Sequence, residues 1–337
     1  MKFLKKLLLA AMVLLMLSGC GTAKQYTAYT IYPVGYLLDR ICGDKIQKIS
    51  IQNNAPVQVA KIKEDYEETL KDSFVFFHVG ELEPDLSLFE DEIYQTEVEQ
   101  VDLSILNAVY KFQRYSLVYV DGRNTYIEGP FYDSDLFKEI DMDDLDLFLW
   151  LNPIGMLSMG KDIYEYFSSN YVEEAGFFKA NYEELENALI ALDASYQNLS
   201  RKLRSEQLTL KFVSMTPSFS NWQKDYGFQV YPVCLSKYGA LPSEEELAII
   251  KDRIIADNVQ YIAFEPNLPD DMIALFESLE NELGLKRITL HNISSLTGDQ
   301  LAEGKDYFTL MYENLSVLDN VVNTLIEEKY NVPSEEE

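Results

Sequence analysis

Apolar positions fall into three patterns along this chain. The first is one run, Leu7–Leu17, behind the basic stretch Met1-Lys2-Phe3-Leu4-Lys5-Lys6 and ahead of Ser18-Gly19-Cys20. The second is a series of short β-rich or continuously apolar segments: Tyr26–Ile31, Ile46–Ile51, Phe74–Val79, Phe148–Leu151, Leu208–Ser214, Val259–Phe264 and Arg287–Leu290. The third is helical spacing between them, over Val34–Ile41, Glu64–Lys71, Asp270–Leu283 and Tyr307–Glu328. Short continuous apolar runs suit strands covered on both faces, and their alternation with helices predicts βαβ units with parallel sheets.

One segment breaks the alternation. Tyr182, Leu185, Leu189, Leu192, Tyr196, Leu199 and Leu203 are spaced alternately three and four apart, which puts them on one face of a long helix. The expected fold is therefore α/β: two domains with mainly parallel sheets, joined by a long rigid helix, with a ligand cleft between them. The expected boundaries are a leader at 1–20, a tether at 21–25, an N-terminal α/β domain at 26–153, a linking-helix region at 154–207, a C-terminal α/β domain at 208–332 and an acidic tail at 333–337.

The leader has the basic start, short apolar centre and small-residue end of an export signal. Its apolar run is shorter than the ~20 residues a membrane-spanning helix needs. A cysteine directly after Leu17-Ser18-Gly19 is the pattern of a bacterial lipobox, so Cys20 is expected to carry acyl chains. That lipid would hold the chain at the outer face of a cell membrane, or the periplasmic side of one, each buried methylene adding ~0.8 kcal/mol.

Composition narrows the partners. Of 337 residues, 47% are hydrophobic, enough for a sizeable core. The formal net charge of −28 excludes nucleic acid, whose phosphates such a surface repels. The acid-rich stretch Asp133–Asp146 reads as a solvated segment. Cys42 and Cys234, far apart with no CxxC spacing, read as two separate buried thiols.

Enzyme chemistry finds little support. GxSxG, Walker, GxGxxG and HExxH patterns are missing from the sequence, and there are two histidines, His78 and His291. His78 sits inside the apolar run of a strand and reads as a hydrogen-bonded strand residue. Two α/β domains behind a lipid anchor suit a solute receptor. Ligands of such sheets bind outside the strands' carboxyl ends, here the segments after Ile51, Leu151, Val213 and Leu290.

Those segments carry a resemblance to the zinc/manganese solute-binding lipoproteins of ABC importers, solute-binding protein family 9. Thr30-Ile31-Tyr32-Pro33-Val34 with Ile41-Cys42-Gly43-Asp44-Lys45 resembles the family's first strand, helix and "GD" turn. Val79-Gly80-Glu81-Leu82-Glu83-Pro84 resembles its "NGxxLEPW" segment, and Leu149-Trp150-Leu151-Asn152-Pro153 its "HxWLDP" motif. Phe219 with Tyr226-Gly227-Phe228, Pro242-Ser243 with Leu247, and the closing set Tyr307, Leu310, Met311, Glu313, Asn314 and Leu318 follow in the family's order.

The resemblance implies an extracytoplasmic substrate-binding lipoprotein that captures zinc or manganese as transported cargo and hands it to an ABC permease. It also implies where ligands should fall. The first cation-binding position falls near Pro56-Val57-Gln58, the second at Phe148, the third near Thr216 and the last at His291, which alone keeps a strong metal donor. The long His-rich loop of many zinc-specific members is missing. Glu83, Trp150 and Glu265 complete the candidate cleft lining. Three readings of the substituted positions stay open: acids such as Glu64 or Asp65 contribute instead, the cleft takes a non-metal or chelated solute, or the fold serves a non-transport surface lipoprotein such as an adhesin.

Overall fold

The computed structural model describes residues 24–105 and 107–331. Cys20, the leader and the tail at 333–337 lie outside the described residues. Two four-stranded parallel sheets organise the chain. The first has the order β2-β1-β3-β4, built from β1 (Tyr26–Tyr29), β2 (Lys48–Ser50), β3 (Ser73–His78) and β4 (Glu99–Asp102). An antiparallel hairpin follows, β5 (Arg114–Val120) and β6 (Arg123–Gly129). The second sheet has the order β10-β9-β7-β8, from β7 (Lys211–Ser214), β8 (Gln229–Pro232), β9 (Tyr261–Phe264) and β10 (Lys286–Thr289).

The expected strands and helices form, with ends shifted by a few residues. Phe148–Leu151 is the exception. It is a buried 3₁₀ turn, Leu149–Leu151, and not a strand. Its polar backbone finds side chains in place of a ladder: Tyr307 Oη donates to Trp150 O (2.7 Å) and Trp222 Nε1 to Leu151 O (2.8 Å). Asn152 then starts the next helix, its Oδ1 accepting from Ile154 N and Gly155 N ahead of Pro153 in the first turn.

The linking region holds the expected long helix and a second one before it. Pro153–Asn170 runs into a short turn and then Ala175–Ser205, 31 residues and about 46 Å long at the α-helical rise. Tyr164 and Tyr182 stack across the pair at 4.8 Å. All seven stripe residues from Tyr182 to Leu203 are buried in the largest core. That core contains Val34 and Leu37 from the first half together with Phe212 and Tyr261 from the second, so one apolar interior runs through both.

The hairpin is not among the expected elements. Its Asp121-Gly122 turn has φ of 49° and 79°, the left-handed pair that a two-residue hairpin connection needs. It docks on the second half: Arg114 pairs with Asp257 (3.0 Å), and Tyr126 Oη donates to Lys224 O (2.7 Å). Phe112, Phe131, Tyr132 and Phe137 bury with Val213, Met215 and Tyr231 of the second half. Cys42 and Cys234 are free, buried and in different cores. No helix among the described residues is long and apolar enough to cross a membrane.

Candidate functional site

Loops leaving the carboxyl ends of both sheets meet along a seam. Glu265, one residue past β9, is its polar centre. Oε1 accepts the backbone N–H of Met215 and of Thr216 (both 3.0 Å), and Oε2 accepts the Thr216 hydroxyl (2.6 Å) and Asn292 Nδ2 (2.8 Å). Burial raises the Glu265 carboxyl above its ordinary pKa, and these four donors pull it back down. Asn292 passes the connection across the seam, its carbonyl accepting Trp150 Nε1 at 2.7 Å. Thr216, Glu265 and Trp150 thus belong to one hydrogen-bonded chain.

Phe148 is buried with its ring 5.6 Å from that of Trp150 and has no donor to offer a cation. Gln58 sits in the 3₁₀ turn Val57–Val59, and its buried Nε2 has no hydrogen-bond partner. It faces the second half at Gly239, where a side-chain carbon would stand 3.3 Å from Gln58 Cβ and 3.0 Å from Val59 Cγ1. Gly239 has φ +69° as well, so glycine is required there by both conformation and space.

His291 is held on every side. Asn314 takes its backbone, Oδ1 accepting His291 N (2.7 Å) and Nδ2 donating to His291 O (2.9 Å). Burial lowers the imidazole pKa, outweighing the opposite pull of Glu313, so the ring is neutral at pH 7. In that state Nε2–H donates to Glu313 Oε2 (3.1 Å) and Nδ1 accepts from Gln300 Nε2 (3.0 Å). Glu313 is shared with Lys305 at 2.9 Å.

Glu83 precedes the helix Pro84–Leu88 and is fully buried. Neither carboxyl oxygen has a hydrogen-bond partner of good geometry, and desolvation raises its pKa to about 8, against a smaller lowering by the nearby Thr30 hydroxyl. It stands apart from the Glu265 network. His78 Nδ1–H donates to Gly80 O (3.0 Å), as expected for a hydrogen-bonded strand residue. The carbonyl can only accept, so Nδ1 carries the proton.

Three residues that organise the seam, Asn292, Gln300 and Asn314, receive no site role from the sequence, although Asn314 belongs to the closing motif. A signal existed for Gln300. Thr297-x-x-Gln300 is a capping box, and the Gln300 amide serves both that cap and His291.

The donor set does not fit a tight four-coordinate zinc site. Zinc prefers about four N, S or O donors in a tetrahedron. Phe148 supplies none, the Thr216 hydroxyl is spent on Glu265, and both His291 ring nitrogens are engaged. Among the described residues, no three His, Cys, Asp or Glu side chains are placed to hold a metal ion.

Two parallel-sheet halves bridged by a long helix, with strand ends meeting at a seam, define the solute-receptor class of α/β proteins. The family model for the zinc-uptake complex component A, periplasmic, matches residues 28–321, and the chain belongs to that family. A zinc-binding lipoprotein, AdcA of Streptococcus pneumoniae, is 25% identical over 322 residues, covering 93% of this chain and 60% of the relative. The high-affinity zinc uptake protein ZnuA of Bacillus subtilis is 24% identical over 174 residues, 52% of each chain. This chain thus spans about 60% of the length of AdcA. Among solved structures, the periplasmic zinc-binding protein TroA of Treponema pallidum superposes with a TM-score of 0.67 at 15% identity, over 89% of this chain and 99% of that one. The zinc-bound ZnuA-like domain of S. pneumoniae AdcA gives 0.64 at 20% identity, over 89% and 100%. The α/β fold and the family resemblance read from the sequence are both upheld.

Proposed function

We propose that this chain is the extracytoplasmic receptor of a metal-type ABC importer, acylated at Cys20, which takes up a zinc-class cargo at the seam and passes it to a membrane permease. The observation that carries this reading is the chain Thr216–Glu265–Asn292–Trp150. It joins the two halves through Thr216, near which the resemblance sets a cargo ligand, and through Asn292, next to His291. The names of the AdcA and ZnuA relatives support zinc as the cargo metal.

The same geometry limits how the metal is held. His291 and its neighbour Glu313 are the protein's strongest donors there, and a metal reaching Nε2 must displace their mutual hydrogen bond. The cargo therefore keeps most of its own ligands, as a chelated or hydrated ion, and bare zinc binds weakly. The test is calorimetric titration of the full-length chain in detergent with zinc and manganese after chelator treatment, beside His291→Ala. Binding weaker than about micromolar that is lost in His291→Ala supports this reading. Multi-site binding unchanged in the variant assigns the cations to the acidic surface and removes the metal cargo. Labelled palmitate incorporation, present in the wild type and lost in Cys20→Ala, checks the anchor.

A further inference from the structure

A cavity of about 230 Å³ opens beyond the carboxyl ends of β1 and β2, beside the seam and not formed by its ligand positions. Thr30, Tyr32, Ser50, Gln52 and Lys63 line it from the first half, and Ser294 reaches it from the second. Next to it Asn54 binds the Leu296 backbone at both amide ends, Nδ2 to O at 2.5 Å and Oδ1 from N at 3.3 Å, so the two halves are fastened at its rim.

Three observations say what it takes. First, Gln52 is 3% exposed, yet neither Nε2 nor Oε1 has a hydrogen-bond partner. Buried amides are nearly always paired, because leaving them unpaired costs folding free energy, so an orphaned donor–acceptor pair in a cavity wall points to a missing ligand. Second, the lining contains no aspartate or glutamate in a chain that carries 56 of them. Its one charged group is Lys63, whose Nζ donates to Ser50 O (2.7 Å) and which has no carboxylate partner among the described residues. A positive spot without acids, inside a molecule of net charge −28, selects an anion over a cation. Third, the volume equals the share of about eight waters, below the usual ~300 Å³ floor of drug-sized pockets, so the ligand is small.

We infer that this cavity binds a small organic anion of the hydroxycarboxylate class, its carboxylate paired with Lys63 and its hydroxyl or second oxygen bonded to the Gln52 amide. A zwitterionic amino acid is disfavoured, because its ammonium group would meet no carboxylate. Ser294 and the Asn54–Leu296 pair close the site from the second half, so occupancy favours the joined state. The site stands independently of the metal cargo.

The test uses the full-length chain in detergent with glycolate, lactate and malate as probes, by calorimetry and saturation-transfer NMR, and choline as the cationic control. Saturable one-to-one binding of at least one probe is expected, unaffected by chelator and by His291→Ala, and weakened at least about tenfold in both Gln52→Leu and Lys63→Met. Without any probe, Gln52→Leu should melt higher than the wild type, because it removes the unpaired amide, and should lose the melting shift that the probe induces. No binding of any probe at about 10 mM, equal binding by the variants, or preference for choline overturns the inference. A lower melting temperature for Gln52→Leu without probe binding assigns the cavity to structural water and overturns it too. The zinc titration is read separately, so its failure would remove the metal cargo and leave this site standing.

Discussion

Glu83 shows what one side chain sets for the whole stability curve. Its folded pKa of about 8 lies above the ordinary value of 4.5 because burial disfavours the charged form. Asp146 and Asp225, pushed to about 7 chiefly by burial, behave alike. A group that holds its proton more tightly when folded stabilises fully below its unfolded pKa, and that contribution is lost as pH rises through the folded value. The expected outcome is a melting temperature that falls steadily between about pH 4.5 and pH 8, with a shallower fall in Glu83→Gln. Thermal scans across that range check it, and a flat profile for the wild type would refute it. Gly239→Ala tests a second residue: with φ +69° and Val59 Cγ1 at 3.0 Å from the added carbon, it should destabilise by about 1–3 kcal/mol in denaturant titration. At this scale the sequence made the substituted positions visible, since Phe148 and Thr216 stand out against a histidine pattern. It could not reveal what holds His291, because Asn314 and Gln300 are ordinary helix residues until the fold brings them 2.7–3.0 Å from it.

Among the elements, the linking pair and the hairpin differ most in legibility. The seven-residue stripe of Ala175–Ser205 could be read because a helix face repeats regularly, and burial of all seven follows. Truncating its centre, as in Leu189→Ala, should cost about 2–5 kcal/mol by urea unfolding, since both halves pack on it. Phe148–Leu151 misled because a short apolar run does not distinguish a strand from a buried turn. The hairpin had a usable signal in Asp121-Gly122 between β-rich flanks, but its docking partner lay far ahead in sequence. Arg114 joins it to Asp257, Gln229 and Tyr231 on the second half. Arg114→Ala should therefore free the hairpin, giving new protease cleavage within 114–129 while the rest of the chain stays intact.

For the whole molecule, the order of motifs sufficed for the architecture, because α/β topology follows from the sequence of elements. The cargo chemistry did not follow, because the positions to which the resemblance assigns it come from distant segments and most carry no metal donor. If Gln58, Phe148 and Thr216 stand where the family's ligands stand, then the triple replacement Gln58→His, Phe148→His, Thr216→His should raise zinc affinity by at least about a hundredfold, measured by competition with a chelating dye. Unchanged affinity would mean that the three positions do not converge.

The core shared by the two halves also sets a timescale. A receptor whose lobes swing on a flexible joint exchanges its ligand by large excursions. Here Val34 and Leu37 share an interior with Phe212 and Tyr261, so wide swinging would tear packed side chains apart. Exchange must proceed by small sliding and by local breakage of the Trp150–Asn292 and Asn54–Leu296 hydrogen bonds. Residence time, and not amplitude of motion, then becomes the property the molecule tunes. If the chain is the importer receptor proposed, a bound solute stays until contact with the permease prises those few bonds open.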